Sequence, residues 1–559
     1  MVITLLTGVY LFFLFLVYGT EIIRWIQFVL FGQIQDIKVH ISIRVILGMI
    51  FLTTVGMWLS LFLPLGWFVN LLFFLGAVFL VLHNWPLHFP VVNVRLIFSQ
   101  PHLKWPTIFI ALVVFVYALI NTSGRSTNPD TLLYHIQTIR WIEIYPAIPG
   151  LANLHFRLAF NSSWLLLNAL FSFSFLFGQS LHIMLGFLFV ISSGYFLDGF
   201  HEIISKKSLR GLFRLLLLPL LIYVSKSELS SPGTDVPAIL FMWISLELLW
   251  NSWDENNKAL NSVLQIVAII FSLFAVTVKL SMLPILVIPG LLLLKNLSNR
   301  RFLFATVLLA LFILLPWLGR YVILSGYLLY PFPAIDIFSF DWKVPLPRVR
   351  EIRDEIVAFA RMPGKPIEYV LNLSFSEWFK PWLMKLTFFR QVLVLGALFS
   401  PLLFGLYSVL RVKVGKQLLG LYLFMYFGLI YWLLTAPAFR FGFGYIALVL
   451  VFIVLMLLNI KFSTWAKPLG SAVLIICFLY LSYLLGESLK NKNISDRAIF
   501  PVEYESPQTV ACFIGDKKLD CANMYGWCGY NSFPCTTTIR SELLLRGDDW
   551  HQGFRSAGH

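Results

Sequence analysis

Charge is scarce in this sequence: only 12% of its 559 residues are Asp, Glu, Lys or Arg, and the 27 acidic residues are outnumbered by 42 basic ones. So little charge over such a length excludes a soluble enzyme, a disordered chain and a fibrous protein. A hydrophobic share of 59% and a mean hydropathy of +0.82 place the chain in the polytopic membrane class. Cysteine is also rare, and four of the five fall in the last 50 residues, which confines any redox chemistry to that segment. No internal repeat or low-complexity tract stands out, which removes the simplest sign of an inverted-repeat transporter. Much of the excess of +15 lies in short loops between apolar runs, so it reports membrane topology and no nucleic-acid partner is expected.

What is present is a succession of membrane-length apolar runs. The first, Val2 to about Tyr18, has no basic leader and is followed by Glu21, Arg24 and further runs, so it reads as a retained span. Others fall near 43–62, 65–82, 104–120, 180–200, 211–226, 236–250, 262–278, 281–294, 301–318, 392–411, 416–434, 442–458 and 468–486. The expectation is an all-α polytopic membrane protein with about fourteen transmembrane helices. The chain divides into N-terminal spans (1–120), an outer loop with interfacial helices (121–179), a transmembrane core (180–318), a long outer loop (319–391), C-terminal spans (392–486) and a Cys-containing tail (487–559).

Loop charge sets the sidedness. The basic stretches His201 to Arg210, Lys295 to Arg301, Arg411 to Lys416 and Lys461 to Lys467 belong in the cytoplasm. One crossing between neighbours then puts 121–179, 227–235, 319–391, 435–441 and 487–559 together on the opposite face. The stretch Asn161 to Phe177 starts Asn161-Ser-Ser-Trp164 and reads as a helix near the interface rather than a span.

The unusual polar residues gather on that outer face. Pro129 opens a helix in which Asp130, Tyr134, Gln137 and Trp141 recur at three- or four-residue spacing, with His135 one position round and Arg140 beyond. An acid just beyond the membrane surface can accept a proton from a hydroxyl nucleophile or ligate a divalent cation beside phosphate; the bland alternative is a carboxylate stabilising a helix N-terminus. Asn153, His155, Arg157 and Asn161 supply hydrogen-bonding groups within an aromatic stretch, which suits sugar hydroxyls or a pyrophosphate. Glu228 and Asp235 form the next outer turn, and Asp235 heads an apolar run. Lys279, Arg320 and Arg440 stand at outer membrane ends where a cation would meet lipid-linked phosphate, and Tyr330 lies in Gly326-Tyr-Leu-Leu-Tyr-Pro-Phe-Pro333. Pro and Gly residues around Arg440 give it a shaped approach. Arg348, Arg350 and Arg353 alternate with Glu351, Asp354 and Glu355 as in a solvated amphipathic helix. Cys512, Cys521, Cys528 and Cys535, at spacings of nine, seven and seven, suit two disulfides better than zinc, with three pairings open.

These residues resemble a family of uncharacterised multi-spanning bacterial membrane proteins and, more loosely, the integral-membrane GT-C glycosyltransferases. The likeness to the first runs through Asp130 to Trp141, Pro149 to Arg157, Asn161-Ser-Ser163, Thr277 to Ser281, Gly326 to Pro331, Ala436 to Gly444, Cys528 to Cys535 and Leu543 to Phe554. The likeness to the second rests on an acid in the first outer loop, a second acid in a later one and one long outer loop. The resemblance implies a GT-C-like fold in a bacterial cytoplasmic (inner) membrane, with the active site facing outward. It implies transfer of a sugar from a polyprenyl-phosphate or polyprenyl-diphosphate carrier to a glycan, lipid or protein acceptor, in contact with membrane lipid. Asp130 would be the catalytic carboxylate, with Asp235 and His135 beside it. Tyr134, Gln137, Arg140, Asn153, His155, Arg157, Asn161, Lys279, Arg320, Tyr330 and Arg440 would bind substrate, Lys279 and Arg440 as phosphate clamps. Mg2+ or Mn2+ is the cofactor to consider, but the lone acid in Pro129-Asp130 favours metal-independent inverting transfer, and no metal ligand is assigned. The rival readings are a lipid-glycan flippase or transporter, a non-enzymatic assembly protein, and an acyltransferase or ligase.

Overall fold

The computed structural model describes residues 1–35, 37–83, 104–409, 416–458, 462–490, 494–522, 525–537 and 539–557. Among these, ten helices are long and apolar enough to cross a membrane, from Val2–Phe31 and Ile41–Leu59 through to Phe439–Leu458 and Thr464–Lys490. They match ten of the fourteen runs. The other four form shorter helices, each for a local reason. Trp67–His83 has 17 residues. Leu209–Ser225 also has 17, and it carries Arg210 and Arg214 in its first two turns and Pro219 inside. The 281–294 run is split into a 3-10 turn, Leu280–Leu286, holding Pro284, and a nine-residue helix, Val287–Lys295. The 392–411 run breaks into Phe388–Leu398 and Ser400–Val409, where Pro401 withholds its backbone donor in the first turn of the second piece. The basic stretch at 411–415 and residue Lys461 lie outside the described residues.

Residues 163–170, expected as a helix near the interface rather than a span, form a short helix enclosed by protein. Ser163–Leu170 is wholly buried in the helical layer. Its start is pinned there: Ser162 Oγ donates to the Val278 carbonyl at 2.8 Å and Asn161 Nδ2 to the Trp317 carbonyl at 2.8 Å. Backbone groups in a membrane need internal partners, and these polar side chains supply them where the helix begins.

The five polar regions meet at one end of the bundle. Asn128 reaches Glu228, Asp130 reaches Arg440, the Gly150 N–H bonds the Ile323 carbonyl, and Val502 bonds Ser123. The tail is a small strand region. Val510–Ile514 pairs antiparallel with Lys517–Cys521, Cys535–Thr536 adds in parallel, and Leu543–Leu545 pairs with Phe554–Ser556. Its disulfides are sequential, Cys512–Cys521 and Cys528–Cys535. In the 319–391 loop, helix Leu346–Arg361 buries Val349, Ile352 and Ala358 and turns its charged side outward, as its sequence predicts.

Candidate functional site

Asp130 sits at the start of a single π-helical turn, Thr131–His135, in which the Ile136 N–H bonds the Thr131 carbonyl five residues back. Such turns are rare and concentrate at functional sites. The turn is locked to the 226–234 segment. Asn128 Oδ1 accepts the Asp130 N–H at 2.9 Å while its Nδ2 donates to Glu228 Oε2 at 2.8 Å, and Thr131 Oγ1 meets Ser231 Oγ at 3.0 Å. The Asp130 carboxylate makes no cap hydrogen bond. It accepts instead from Arg440 Nη1 at 2.9 Å, while still standing at the helix N-terminus, where the dipole favours a carboxylate.

Arg440 lies in the first turn of Phe439–Leu458, where the helix dipole opposes a cation. Two carboxylates hold it there: Asp130, and Asp235 with an oxygen 3.7 Å from Nε. The turn leading to it is fixed by Trp432 Nε1, which donates to the Ala438 carbonyl at 2.9 Å. Gly442 is required beside it, since a Cβ there would stand 2.2 Å from the Trp432 ring. Asp235 opens helix Asp235–Asp254 and pairs with Lys279, whose Nζ also stands 3.9 Å from the centre of the Phe441 ring. Two acids and two bases therefore form one neutral, interlocked cluster at one end of the bundle.

The surroundings tune these groups. Burial raises the Asp130 carboxyl, but Arg440, helped by His135, Lys279 and Arg157, outweighs it and holds the pKa below its ordinary value. Burial pulls the His135 imidazole down to about 4 against the pull of Asp130 and Asp235, so it is neutral near pH 7. Neither of its ring nitrogens has a hydrogen-bond partner among the described residues. Burial, then Asp130 and Asp235, push the Tyr134 phenol up. Glu228 is raised by burial, with Asn128 opposing and Asp235 adding.

The structure thus brings Asp130, Asp235, Lys279 and Arg440 together, with Tyr134 and His135 in their field. Arg157 stands at its edge, its guanidinium 6.0 Å from the Tyr134 ring centre and 3.8 Å from Glu355. Other expected binding residues are engaged elsewhere. The π turn inserts a residue and rotates the remainder of the helix by about 100°, which carries Gln137 off the Asp130 face. Gln137 Nε2 donates to the Gly529 and Ser532 carbonyls at 2.9 and 2.7 Å, and its Oε1 accepts from the Cys535 N–H at 3.0 Å. Arg140 bonds Glu143 and Tyr530. Asn153 donates to the Trp342 carbonyl at 2.9 Å. Asn161 and Ser60 take up the buried Arg320 at 3.1 and 2.6 Å. These side chains hold the tail, the long loop and the helices together. Tyr330 is fully buried, with its hydroxyl unpartnered among the described residues. His155 lines a separate cavity.

A divalent ion does not fit this donor set. Among the described residues no three His, Cys, Asp or Glu side chains converge as ligands, and the oxygens of Asp130 and Asp235 face Arg440 and Lys279.

Sequence reasoning passed over a second charged cluster. Glu247, fully buried in Asp235–Asp254, takes Arg214 Nη2 at 2.5 Å, Arg210 Nη1 at 3.4 Å and the Tyr195 hydroxyl, while Glu202 pairs with Arg210 and lies 3.6 Å from Arg214. It lies toward the opposite end of the helices from Asp235. A lone Glu in an apolar run is the signal that could have found it.

No curated protein and no solved structure matches the chain significantly. Residues 1–447 match the family model described as "Domain of unknown function (DUF8201)", and the chain belongs to that family.

Proposed function

We propose that the chain is an integral-membrane glycosyltransferase, moving a sugar from a polyprenyl-phosphate-linked donor to a glycan, lipid or protein acceptor on the extracytoplasmic side of a bacterial inner membrane. The observation that carries this reading is the Asp130 carboxylate, which makes no cap hydrogen bond and is set beside two cations at one end of the bundle. In the reaction, Asp130 takes the proton of an acceptor hydroxyl as its oxygen attacks the anomeric carbon. The bond from that carbon to the phosphate oxygen breaks with inversion, and Lys279 and Arg440 stabilise the departing polyprenyl phosphate. Asp130 is a weak base while Arg440 holds it; a phosphate that draws Arg440 away raises its basicity at the moment of use. Asp130→Asn is expected to abolish transfer at unchanged protein abundance, and retained transfer would remove Asp130 from this role.

A second reading, a lipid-glycan flippase or transporter, is favoured by the buried Glu247–Arg214–Arg210–Glu202 network, since ionisable groups inside the helical layer commonly mark a transport path. Reconstitution separates the two. Translocation of a fluorescent lipid-linked sugar across proteoliposomes without any glycosidic product supports transport, and product formation supports transfer.

A further inference from the structure

Away from the Asp130 cluster, residues of 152–156, the start of helix Leu346–Arg361 and the tail enclose a cavity of about 310 Å3. Small-molecule sites begin at about this size, and one monosaccharide fits within it. Its most buried polar group is His155, only 7% exposed, which makes no side-chain hydrogen bond among the described residues and stacks on Phe156 at 5.2 Å. Burial, reinforced by Arg157 and Arg348, draws that imidazole down to about 3, so at physiological pH one nitrogen donates and the other accepts.

The charges around the cavity cancel locally. Arg348 pairs with Glu351 at 2.5 Å, and Arg540 lies 3.8 Å from Glu542. Such a wall offers formally balanced donors and acceptors to a neutral polyhydroxylated ligand, with Arg157 and Arg348 leaving a positive potential at His155. Phe156 adds apolar lining, its ring in contact with His155, Arg157 and Arg348. The same residue leads toward the reaction centre: the Arg157 guanidinium stands 5.2 Å from the Phe156 ring and 6.0 Å from the Tyr134 ring, and Tyr134 is four positions from Asp130.

We propose that this cavity binds an uncharged sugar unit of the acceptor, with His155 as its central hydrogen-bonding group and Arg348, Glu351 and Arg540 at its rim. The acceptor role rests on the glycosyltransferase reading; sugar binding itself does not. The site holds the acceptor glycan while its terminal hydroxyl reaches Asp130.

The test uses the full chain in lipid nanodiscs and saturation-transfer NMR with methyl glycosides of glucose, galactose, mannose and N-acetylglucosamine, with glucuronate as the charged comparison. At least one neutral glycoside is expected to bind. His155→Phe, which keeps an aromatic ring, and Arg540→Ala, at a more exposed position, should each weaken it by about two- to twelvefold, the size of one lost hydrogen bond. Arg540→Ala keeps the proposal testable if the His155 variant does not fold. No binding of a neutral glycoside, preference for glucuronate, or indifference to both substitutions overturns it. Glycoside binding without sugar transfer by the wild-type protein keeps the site and removes the transferase reading. Transfer that is lost in Asp130→Asn yet unaffected at His155 and Arg540 does the reverse.

Discussion

Replacing Arg440 by Ala removes its 2.9 Å bond to Asp130 and its 3.7 Å approach to Asp235 together, and with them the more exposed of the two proposed phosphate clamps. A hydrogen bond to a charged group contributes about 1.5–3 kcal/mol. The Arg440 side chain is 43% exposed, so solvent screening sets the effect at the lower end, roughly tenfold in an equilibrium constant. Binding of a polyprenyl phosphate, measured by competition in nanodiscs, is therefore expected to weaken about tenfold in Arg440→Ala. Arg440→Lys should lose less, since the charge survives while the two-pronged geometry does not. The pH dependence gives a second, independent readout. Asp130 has a depressed pKa because Arg440 outweighs burial, and without Arg440 burial is left to raise it. A general base works deprotonated, so activity present above its pKa is lost as the pH falls through it. The acidic limb of kcat/KM, which reports the donor-free enzyme, should accordingly move to higher pH in Arg440→Ala. An unchanged affinity together with an unmoved acidic limb would refute the arrangement argued for this cluster.

The packing carries three further expected outcomes. Glu247→Ala removes the fully buried carboxylate that Arg210 and Arg214 share, leaving them Glu202, and should destabilise the protein by up to about 3–5 kcal/mol, read by denaturant titration in detergent; a loss below about 1 kcal/mol would mean that Glu202 suffices. Gln137→Ala deletes three hydrogen bonds to residues 529–535, so amide hydrogen exchange in that segment should rise several-fold; unchanged protection would show that the disulfide and neighbouring contacts suffice. Peptide mapping without reduction should recover Cys512 linked to Cys521 and Cys528 linked to Cys535, and any crossed pair would contradict this sequential pairing.

The membrane helices were legible because span-length apolar runs leave few alternatives, and the shared face of the polar loops was legible from loop charge. Asp130, Asp235, Lys279 and Arg440 were each readable as ionisable residues at an outer membrane end, although their sequence spacing says nothing of their meeting. Gln137, Arg140 and Asn153 were read as binding groups, and the structure engages each with other parts of the chain. A polar side chain awaiting a ligand and one satisfying a distant backbone look alike in sequence, and the partners of Gln137 lie 392 to 398 residues away. Pro284 and Pro401 were visible in their runs, but the length remaining on either side decides whether a span survives. Glu247 was hidden by the apolar residues that bury it, and Arg210 by its place in a basic loop.

The hold of Gln137 on residues 529–535 also orders the biogenesis of the protein. Translation delivers the Asp130 turn early, whereas the carbonyls and the N–H that satisfy Gln137 emerge almost four hundred residues later. Throughout that interval the 121–179 segment carries an amide without its native partners, in a chain whose slowest contacts are its most distant ones. The covering of the helix that follows Asp130 is thus finished last, after Arg440 has been made, and a ribosome that stalls before residue 529 leaves a protein whose ten candidate spans are made and this segment uncovered.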